Sequence, residues 1–321
     1  MDYYEALRYT IRPEEEGMLL KTVLMNRLGV SRKLLSRVKQ TEQGLTINGE
    51  RVYTTVRVRA GDLVELRMAE EESDDILPEA IPLNILYEDD HLLIVNKPAG
   101  QIVHPTHGHY TGTLANAVVH HWRLNGVKVR FRPIHRLDQD TSGALCIAKN
   151  PYVHQQLSEQ LQAGQVDKEY VAFVHGTLNP VEGTVDAPID RDPEHPHIRI
   201  VTPAGYPSVT HYAMERSYGR AASKVRLRLE TGRTHQIRVH MRYLGHPLIG
   251  DAMYGLDSLT EPPAAVMNPG WDAQVGRHAL HAARLAFTHP GTQRPVEFHA
   301  PLPNDLLGLE RLLEQRTTGG E

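Results

Sequence analysis

Several features are scarce in this chain of 321 residues. A single cysteine, Cys146, excludes an intrachain disulfide and a thiolate zinc site, and it fits a reducing cytoplasm. The apolar neighbours of Cys146 predict a core thiol and not a reactive one. No stretch approaches the roughly 18 apolar residues that span a bilayer, and the N-terminus has no basic flank before an apolar run. We therefore expect a soluble, unexported protein.

A strong charge of either sign is also lacking, because the formal net charge is −4. This balance by itself does not indicate a general nucleic-acid binder, which would be expected to be basic. The charge is nevertheless uneven, since residues 21–59 contain nine lysines and arginines but two glutamates. An acidic stretch with a proline follows at residues 70–82 and predicts a solvated linker. Length and charge together predict a small basic domain, a linker and a larger domain.

The basic domain, residues 17–69, has a local pattern that can be interpreted. Ser31 is a candidate N-cap for a helix with apolar residues at positions 34, 35 and 38 and cations on its other face. Asn48-Gly49 lies between two short alternating runs and predicts a hairpin. Residues 1–16 are expected to form an extension outside this domain.

The order of helix, basic helix, hairpin and strand resembles the S-four RNA-binding domain. This resemblance implies that Arg32, Lys33 and Arg37 contact RNA phosphates, which would position RNA without reading its sequence. The segments that carry it are Gly29-Val30-Ser31-Arg32-Lys33, Thr46-Ile47-Asn48-Gly49-Glu50-Arg51-Val52 and Ala60-Gly61-Asp62.

Residues 83–315 are predicted to form an α+β domain with a mainly antiparallel sheet and flanking helices, because strands follow one another without regular βαβ alternation. Thr234 is the expected N-cap of a helix that runs to about residue 242. The segments 186–207 and 256–277 match no pattern, and we expect them to contribute to target choice. Residues 316–321 are expected to be a C-terminal tail.

Two polar segments are candidate functional sites. Residues 135–143 hold a cation, two carboxylates and two hydroxyls ahead of a buried strand, and residues 232–240 form a polar cluster where a strand meets a helix. From the residues alone, a solvated turn and a basic helix end explain these segments equally well. The histidines lack metal-ligand spacing, so no metal site is predicted.

Residues 85–313 contain several motifs in a fixed order. The motifs are Asn96-Lys97-Pro98-Ala99-Gly100, His135-Arg136-Leu137-Asp138 with Thr141-Ser142-Gly143, Lys168-Glu169-Tyr170, the segment 232–240, Gly245-His246-Pro247 with Gly250-Asp251 and Tyr254-Gly255, and Ala279-Leu280-His281-Ala282 with Phe287-Thr288-His289-Pro290. Each motif alone is weak evidence, but their joint order is hard to produce by chance. With these motifs the segment resembles the pseudouridine synthases of the large-subunit ribosomal RNA type, often called the RluA family.

The resemblance implies an isomerase that converts uridine in RNA to pseudouridine. It assigns Asp138 as the catalytic aspartate, Tyr170 as the aromatic residue under the uracil, and Arg238 as the basic partner of Asp138. The isomerisation gains and loses no atom, so we expect no cofactor and no metal. Asp138 can act as a nucleophile on the sugar or the ring, or as a base on the sugar, and the sequence leaves these alternatives open. We expect Arg238 to keep that carboxylate ionised in a pocket without water.

Four further residues receive weaker assignments. Arg136 is a candidate for filling the stack that a flipped nucleotide leaves, or for gripping neighbouring phosphates. Ile237 is a candidate for the pocket wall, although an ordinary core position explains it as well. Lys97 and Arg233 are expected to support the scaffold or contact the RNA backbone.

The expected partner is RNA, and the S-four-like domain favours large-subunit ribosomal RNA over transfer RNA. We expect a cytoplasmic monomer without a membrane or nucleotide-cofactor partner. Two other classes are weighed against this one. A catalytically inert RNA-binding assembly factor would be preferred if Asp138, Tyr170 or Arg238 were replaced, and all three are present. A metal-dependent phosphoesterase would need clustered carboxylates and histidines and would lose activity to chelators.

Overall fold

The structure is a computed structural model that describes residues 2–259 and 270–318, with side chains as far as residue 315. Its helices, numbered in chain order, are α1 Leu20–Arg27, α2 Arg32–Val38, α3 Leu114–Leu124, α4 Pro151–Gln162, α5 Gln236–Tyr243, α6 Trp271–Val275 and α7 Asn304–Thr318. Its strands are β1 Leu7–Thr10, β2 Leu45–Ile47, β3 Glu50–Arg51, β4 Leu63–Leu66, β5 Ile85–Glu88, β6 Leu92–Lys97, β7 Ser142–Ala148, β8 Asp167–His175, β9 Glu182–Asp186, β10 Ile189–Arg191, β11 Arg199–Val201, β12 Val209–Tyr218, β13 Ala222–Leu229, β14 Leu280–Thr288 and β15 Pro295–His299. Over the described ranges, no helix is both long and apolar enough to cross a membrane.

The small N-terminal domain is a four-stranded antiparallel sheet, in the order β1-β4-β2-β3, with α1 and α2. Ser31 caps α2 as predicted, because its hydroxyl accepts a hydrogen bond from the backbone N–H of Leu34 at 3.1 Å. The predicted hairpin is also present. Asn48 and Gly49 both have positive φ angles, 52° and 84°, which the favoured two-residue hairpin turn requires.

The prediction that residues 1–16 form a separate extension is wrong. Strand β1 pairs with β4 over four residues, with Leu7 opposite Leu66, so it is an edge strand of the small domain. Leu7 and Tyr9 pack against the apolar core, while Arg8 and Thr10 are exposed. The alternation is short and its partner lies more than 50 residues away, so no local signal indicated the pairing.

The acidic segment 70–82 is packed against both domains, whereas the sequence predicted a solvated linker. Its Glu71 pairs with Arg37 of α2 and with Arg132 of the large domain. Its Ile76 is 4% exposed and belongs to the large domain's core. The two domains also contact each other directly, since the hydroxyl of Tyr152 donates to the carbonyl of Leu28 at 2.8 Å.

The large domain contains a nine-stranded sheet in the order β5-β6-β7-β14-β8-β13-β12-β9, with β15 on β14. Among the described strands, β7 and β14 form the one parallel pair, so the predicted α+β class with a mainly antiparallel sheet is confirmed. The parallel pairing is close at Gly143, which has a φ of 120°. A Cβ there would lie 2.2 Å from the carbonyl oxygen of Ala282.

The structure describes all of residues 186–207 and parts of residues 256–277 and of the predicted C-terminal tail. Residues 186–207 include β10 and β11, which pair with each other as a small antiparallel ribbon. Of the segment 256–277, residues 260–269 lie outside the described residues. Helix α7 continues to Thr318, into the predicted tail, and residues 319–321 are outside the described range.

Candidate active site

The loop before β7 carries Asp138, and a buried lysine donates a hydrogen bond to the backbone of this loop. The backbone N–H of Thr141 donates to the carbonyl of Asp138 at 3.1 Å and closes a turn. Lys97 is fully buried, and its Nζ donates to the carbonyls of Pro98, Gln101 and Gln139 at 2.8–2.9 Å. Burial lowers the pKa of Lys97 to about 7, although the three carbonyls satisfy all three N–H donors of its charged form. Lys97 therefore has the supporting position expected of it.

Arg277 holds the next part of the same loop. Its Nη1 donates to the carbonyl of Asp140 at 2.9 Å, and its Nη2 donates to the hydroxyl of Ser142 at 3.3 Å. The carboxylate of Asp305, at the start of α7, accepts from Nε of Arg277 at 2.6 Å. His278 contacts Thr141 through Nε2 and the hydroxyl at 2.8 Å. The loop that carries Asp138 is thus bound by Lys97 of β6 and by the segment before β14, which Asp305 of α7 contacts in turn.

The guanidinium of Arg238 joins two carboxylates. It donates to Asp251 through Nε at 2.7 Å and Nη2 at 2.8 Å, and its Nη1 lies 3.5 Å from Oδ2 of Asp138. The Asp251 side chain is fully buried, whereas the Asp138 side chain keeps 28% of its exposure. Burial opposes the charge of Arg238, but hydrogen bonds and charge from Asp251, with Asp138 adding, raise its pKa. Burial likewise opposes the charge of Asp251, and Arg238 nevertheless holds its pKa below the ordinary value.

The sequence predicted that Asp138 lies in a pocket without water, but its side chain is partly exposed in the structure. In the free protein this carboxylate faces an open cleft, so the exclusion of water from it requires an occupant. The carboxylate of Asp251 explains why the guanidinium of Arg238 is already oriented before that occupant binds. Two parallel hydrogen bonds to Asp251 fix the plane of the guanidinium and leave Nη1 for Asp138.

Tyr254 and His235 complete the surroundings of Arg238. The ring of Tyr254 lies 4.9 Å from the guanidinium carbon, within the range of a cation–π contact. Nδ1 of His235 is 2.9 Å from the hydroxyl of Tyr254. His235, and not Thr234, occupies the N-cap position of α5, with a φ of 59° and no capping side chain. The predicted Thr234 cap is wrong, because the chain turns through a left-handed residue before the helix begins.

Tyr170 and Ile237 line the same cleft as Asp138 and Arg238, and the cleft measures about 800 Å³. Tyr170 comes from β8 and is 6% exposed, and Ile237 comes from the first turn of α5 and is 3% exposed. Burial, with the negative charge of Asp138 adding, raises the pKa of Tyr170, so its hydroxyl stays protonated at neutral pH. Ile237 borders the cleft and also belongs to the large core.

The predicted RNA-contacting residues fall into two groups. Arg136 is exposed and lines the cleft, and it forms no hydrogen bond or ion pair within the described residues. Arg32 and Lys33 are exposed on α2 of the small domain, outside the cleft lining. Arg37 lies on the same helix, but its guanidinium is paired with Glu71. The structure therefore brings Arg136 to the candidate site and leaves the three α2 cations on a separate surface.

Over residues 2–259 and 270–318, histidine, cysteine and carboxylate side chains form no group of three placed to hold a metal ion. The three residues that sequence reasoning missed as site residues are Asp251, Tyr254 and Arg277. Asp251 and Tyr254 stand in a motif that carried the family resemblance, which was the available signal. Arg277 lies two residues before another such motif and has no signal of its own.

Comparisons with known proteins identify the family and the fold. Residues 91–243 match the family model described as RNA pseudouridylate synthase. A Bacillus subtilis protein named Uncharacterized RNA pseudouridine synthase YjbO is 43% identical over 280 residues, which cover 87% of this chain and 94% of that protein. The Ribosomal large subunit pseudouridine synthase D of Pseudomonas aeruginosa is 40% identical over 271 residues, 84% of each chain.

Two solved human structures have the same fold. RNA Pseudouridylate Synthase Domain Containing 1 has a TM-score of 0.56 at 26% identity, covering 75% of this chain and 97% of that one. RNA Pseudouridylate Synthase Domain Containing 4 has a TM-score of 0.58 at 24% identity, covering 72% and 92%. The family resemblance and the fold predicted from the motifs are confirmed. The chain belongs to the RluA family of RNA pseudouridine synthases, isomerases that convert uridine in RNA to pseudouridine.

Proposed function

We propose that this enzyme isomerises one or more uridines of large-subunit ribosomal RNA, with Asp138 as the catalytic carboxylate. The observation that carries the assignment of Asp138 is its pairing with a buried, doubly held Arg238 in a cleft that Tyr170 also lines. The ribosomal target is supported by relatives named Ribosomal large subunit pseudouridine synthase D, among them the Pseudomonas aeruginosa protein and one from Vibrio parahaemolyticus at 38% identity.

The reaction breaks the bond between C1′ of the ribose and N1 of the uracil and forms a bond from C1′ to C5. The hydrogen on C5 leaves and N1 gains one, so the atoms balance without an oxidant or a reductant. Asp138 attacks the sugar or the ring, or removes a sugar proton, and each alternative requires its ionised form. Arg238 favours that form and fixes the direction of the carboxylate once the substrate displaces water.

The uridine has to leave its stack to reach Asp138, which costs a few kcal/mol. In this proposal the ring of Tyr170 lies under the free uracil, and such stacking returns roughly 1 to 3 kcal/mol. Ile237 forms part of the pocket wall. Arg136, at the exposed edge of the cleft, fills the vacated stack or grips the neighbouring phosphates.

The small domain supplies a second surface in this proposal. Arg32 and Lys33 are exposed cations without ion pairs in the described part of the chain, which suits contacts to phosphates along a structured RNA. Arg37 shares its charge with Glu71 and contributes less. The enzyme acts in the cytoplasm as a monomer on this account.

The experiment is a map of pseudouridines in total RNA from a strain that lacks the gene. Wild-type and Asp138→Ala genes are restored separately. We expect large-subunit ribosomal sites to disappear in the deletion and to return only with the wild-type gene. Sites confined to transfer RNA would replace the ribosomal target. Sites that return with both genes would refute the assignment of Asp138.

A further inference from the structure

One buried lysine, Lys168, lines the cleft. Lys168 lies on β8 two residues before Tyr170, and alternate residues of a strand share a face. Its position is therefore about 6.7 Å from that of Tyr170 along the strand. Lys168 is 8% exposed, and it lines the cleft together with Tyr170 and Asp138.

The charge of Lys168 is not balanced by its surroundings. It forms no ion pair and no side-chain hydrogen bond with any residue that the structure describes. Its sequence neighbours Asp167 and Glu169 point to the other face of the sheet, where they pair with Arg228 and Arg226. Burial without a compensating carboxylate lowers the pKa of Lys168, which agrees with that isolation.

The acids of the cleft are engaged elsewhere. Glu230 lies 2.7 Å from Nε2 of His211, and Asp138 lies beside Arg238. The nearby His135 adds no positive charge at neutral pH, because burial, with the charge of Lys168 adding, lowers its pKa to about 4. Lys168 is therefore a buried cation that no described carboxylate pairs with, and it lies in a cleft that receives a polyanion.

The ammonium group of Lys168 lies against the loop that precedes α5. A Cβ added to Gly232 would lie 3.7 Å from Nζ of Lys168, in van der Waals contact with it. Because residue 232 is a glycine, no side chain of that residue covers this side of the ammonium.

We propose that Lys168 binds a backbone phosphate beside the target uridine and so fixes the strand while the base lies over Tyr170. This inference rests on the proposed function, because it concerns how RNA lies in the same cleft. Lys168 is then a binding residue. It contributes to affinity and register, and not to the bond-breaking step.

The test uses the full chain and a synthetic RNA fragment that the wild-type enzyme converts to pseudouridine. Affinity is measured against KCl concentration in the Asp138→Asn background, where no product forms. We expect Lys168→Met to weaken binding by about tenfold. We also expect the dependence of log affinity on log salt to become shallower by about 0.7, the value for one contact to a single strand. Lys168→Arg should keep the wild-type slope.

A chemical control identifies the phosphate. Replacing one phosphate next to the target uridine with a neutral methylphosphonate should weaken the wild-type complex as much as Lys168→Met does. The same replacement should have no further effect on the variant. Lys128→Gln is the matched control, since Lys128 lies outside the cleft and pairs with Asp2 at 2.7 Å. It should leave affinity unchanged.

Two results would overturn the proposal. One is an unchanged affinity and salt slope for Lys168→Met, and the other is a lower kcat with unchanged affinity, which would make Lys168 a chemical group. Folding does not confuse the test, because removal of an unpaired buried charge should leave the thermal midpoint equal or higher. Failure of the proposed function is separately visible, as an absence of pseudouridine with the wild-type enzyme on every ribosomal fragment.

Discussion

Arginines and lysines serve two opposite purposes in this molecule. In the cleft, Arg238 is 7% exposed, held by Asp251 at two points and covered by the ring of Tyr254. On α2 of the small domain, Arg32 and Lys33 are exposed and have no ion pair with any described residue. The residue types are the same, but burial and pairing differ completely.

The difference shows how each surface suits its task. A reactive carboxylate needs a partner whose position is set before the substrate arrives, and buried bidentate pairing provides that order. The backbone of a polyanion needs free charge that can follow its path, and exposed unpaired cations provide that. We therefore expect substitutions in the buried pairs of Arg238 to change stability and turnover, and substitutions on α2 to change affinity and its salt dependence.

The largest effect should follow from Asp251→Asn. This change removes the carboxylate that holds the buried guanidinium of Arg238 at two points and leaves the more distant Asp138 as its charged partner, which should lower the free energy of unfolding by about 3 kcal/mol. Turnover should fall with it, because Arg238 loses its fixed orientation. Denaturant unfolding and single-turnover assays provide the two measurements. Asp2→Asn, which breaks the exposed pair with Lys128, should change neither. An Asp251→Asn enzyme with full stability would contradict the contrast between the two regions.

The next effect concerns the acid range. Burial, with the charge of Arg238 adding, lowers the pKa of His278 from 6.5 to about 3. In this pH range His278 binds a proton in the unfolded chain but not in the folded chain. Stability is therefore lost as pH falls from about 6.5 towards 3. His278→Gln keeps a polar group for the hydroxyl of Thr141 but does not titrate. Between pH 7 and 5, His278→Gln should lose less free energy of unfolding than the wild-type protein, by on the order of 2 kcal/mol.

The control for that measurement is His109→Gln, because His109 is exposed. It should lose as much stability as the wild-type protein over the same range. If His278→Gln lost as much free energy of unfolding as the wild-type protein, His278 could not be the buried neutral histidine that causes the loss.

A charge reversal at the edge of the cleft, Arg136→Glu, should have an intermediate effect. Arg136 is exposed and unpaired like the α2 cations, but it lines the cleft next to Asp138. We expect both affinity and rate to fall, each by about tenfold, with little change in stability. Single-turnover rates at several enzyme concentrations separate the two. If neither changed, the hypothesis that Arg136 fills the stack or grips phosphates would fail.

The smallest effects should come from α2. Arg32→Gln and Lys33→Gln should each weaken RNA binding a few-fold and make the salt dependence shallower, while the rate of the bound complex stays the same. Arg37→Gln is the internal comparison, since Arg37 is already paired with Glu71. Its effect on affinity should be smaller than that of its neighbours. Equal effects for the three substitutions would show that pairing with Glu71 does not matter for RNA binding.

Local patterns predicted much of the fold. The Ser31 cap and the Asn48-Gly49 hairpin depend on neighbouring residues, and both appear as predicted. The pairing of β1 with β4 depends on strands far apart in the chain, and the sequence missed it. The segment 70–82 has a composition typical of solvated linkers, yet Ile76 is buried, because tertiary contacts overrode composition.

The site was predicted only in part, and for a similar reason. Motif order pointed to Asp138, Tyr170 and Arg238, which the structure places around one cleft. The support by Asp251 and Arg277 was not predictable from spacing, because it depends on where α5 and α7 end up relative to the loop before β7. The hydrogen bonds of these two residues explain how Arg238 and the loop before β7 are held in position, which no single motif does.

The most direct test of the account is a single-turnover measurement on Asp138→Asn with RNA bound at saturation. Asparagine keeps the shape and a hydrogen-bond acceptor for Arg238, but it cannot supply a charged carboxylate. We predict RNA affinity close to wild type and pseudouridine formation slower by at least about a thousandfold. Pseudouridine formation at the wild-type rate would show that another group carries out the reaction.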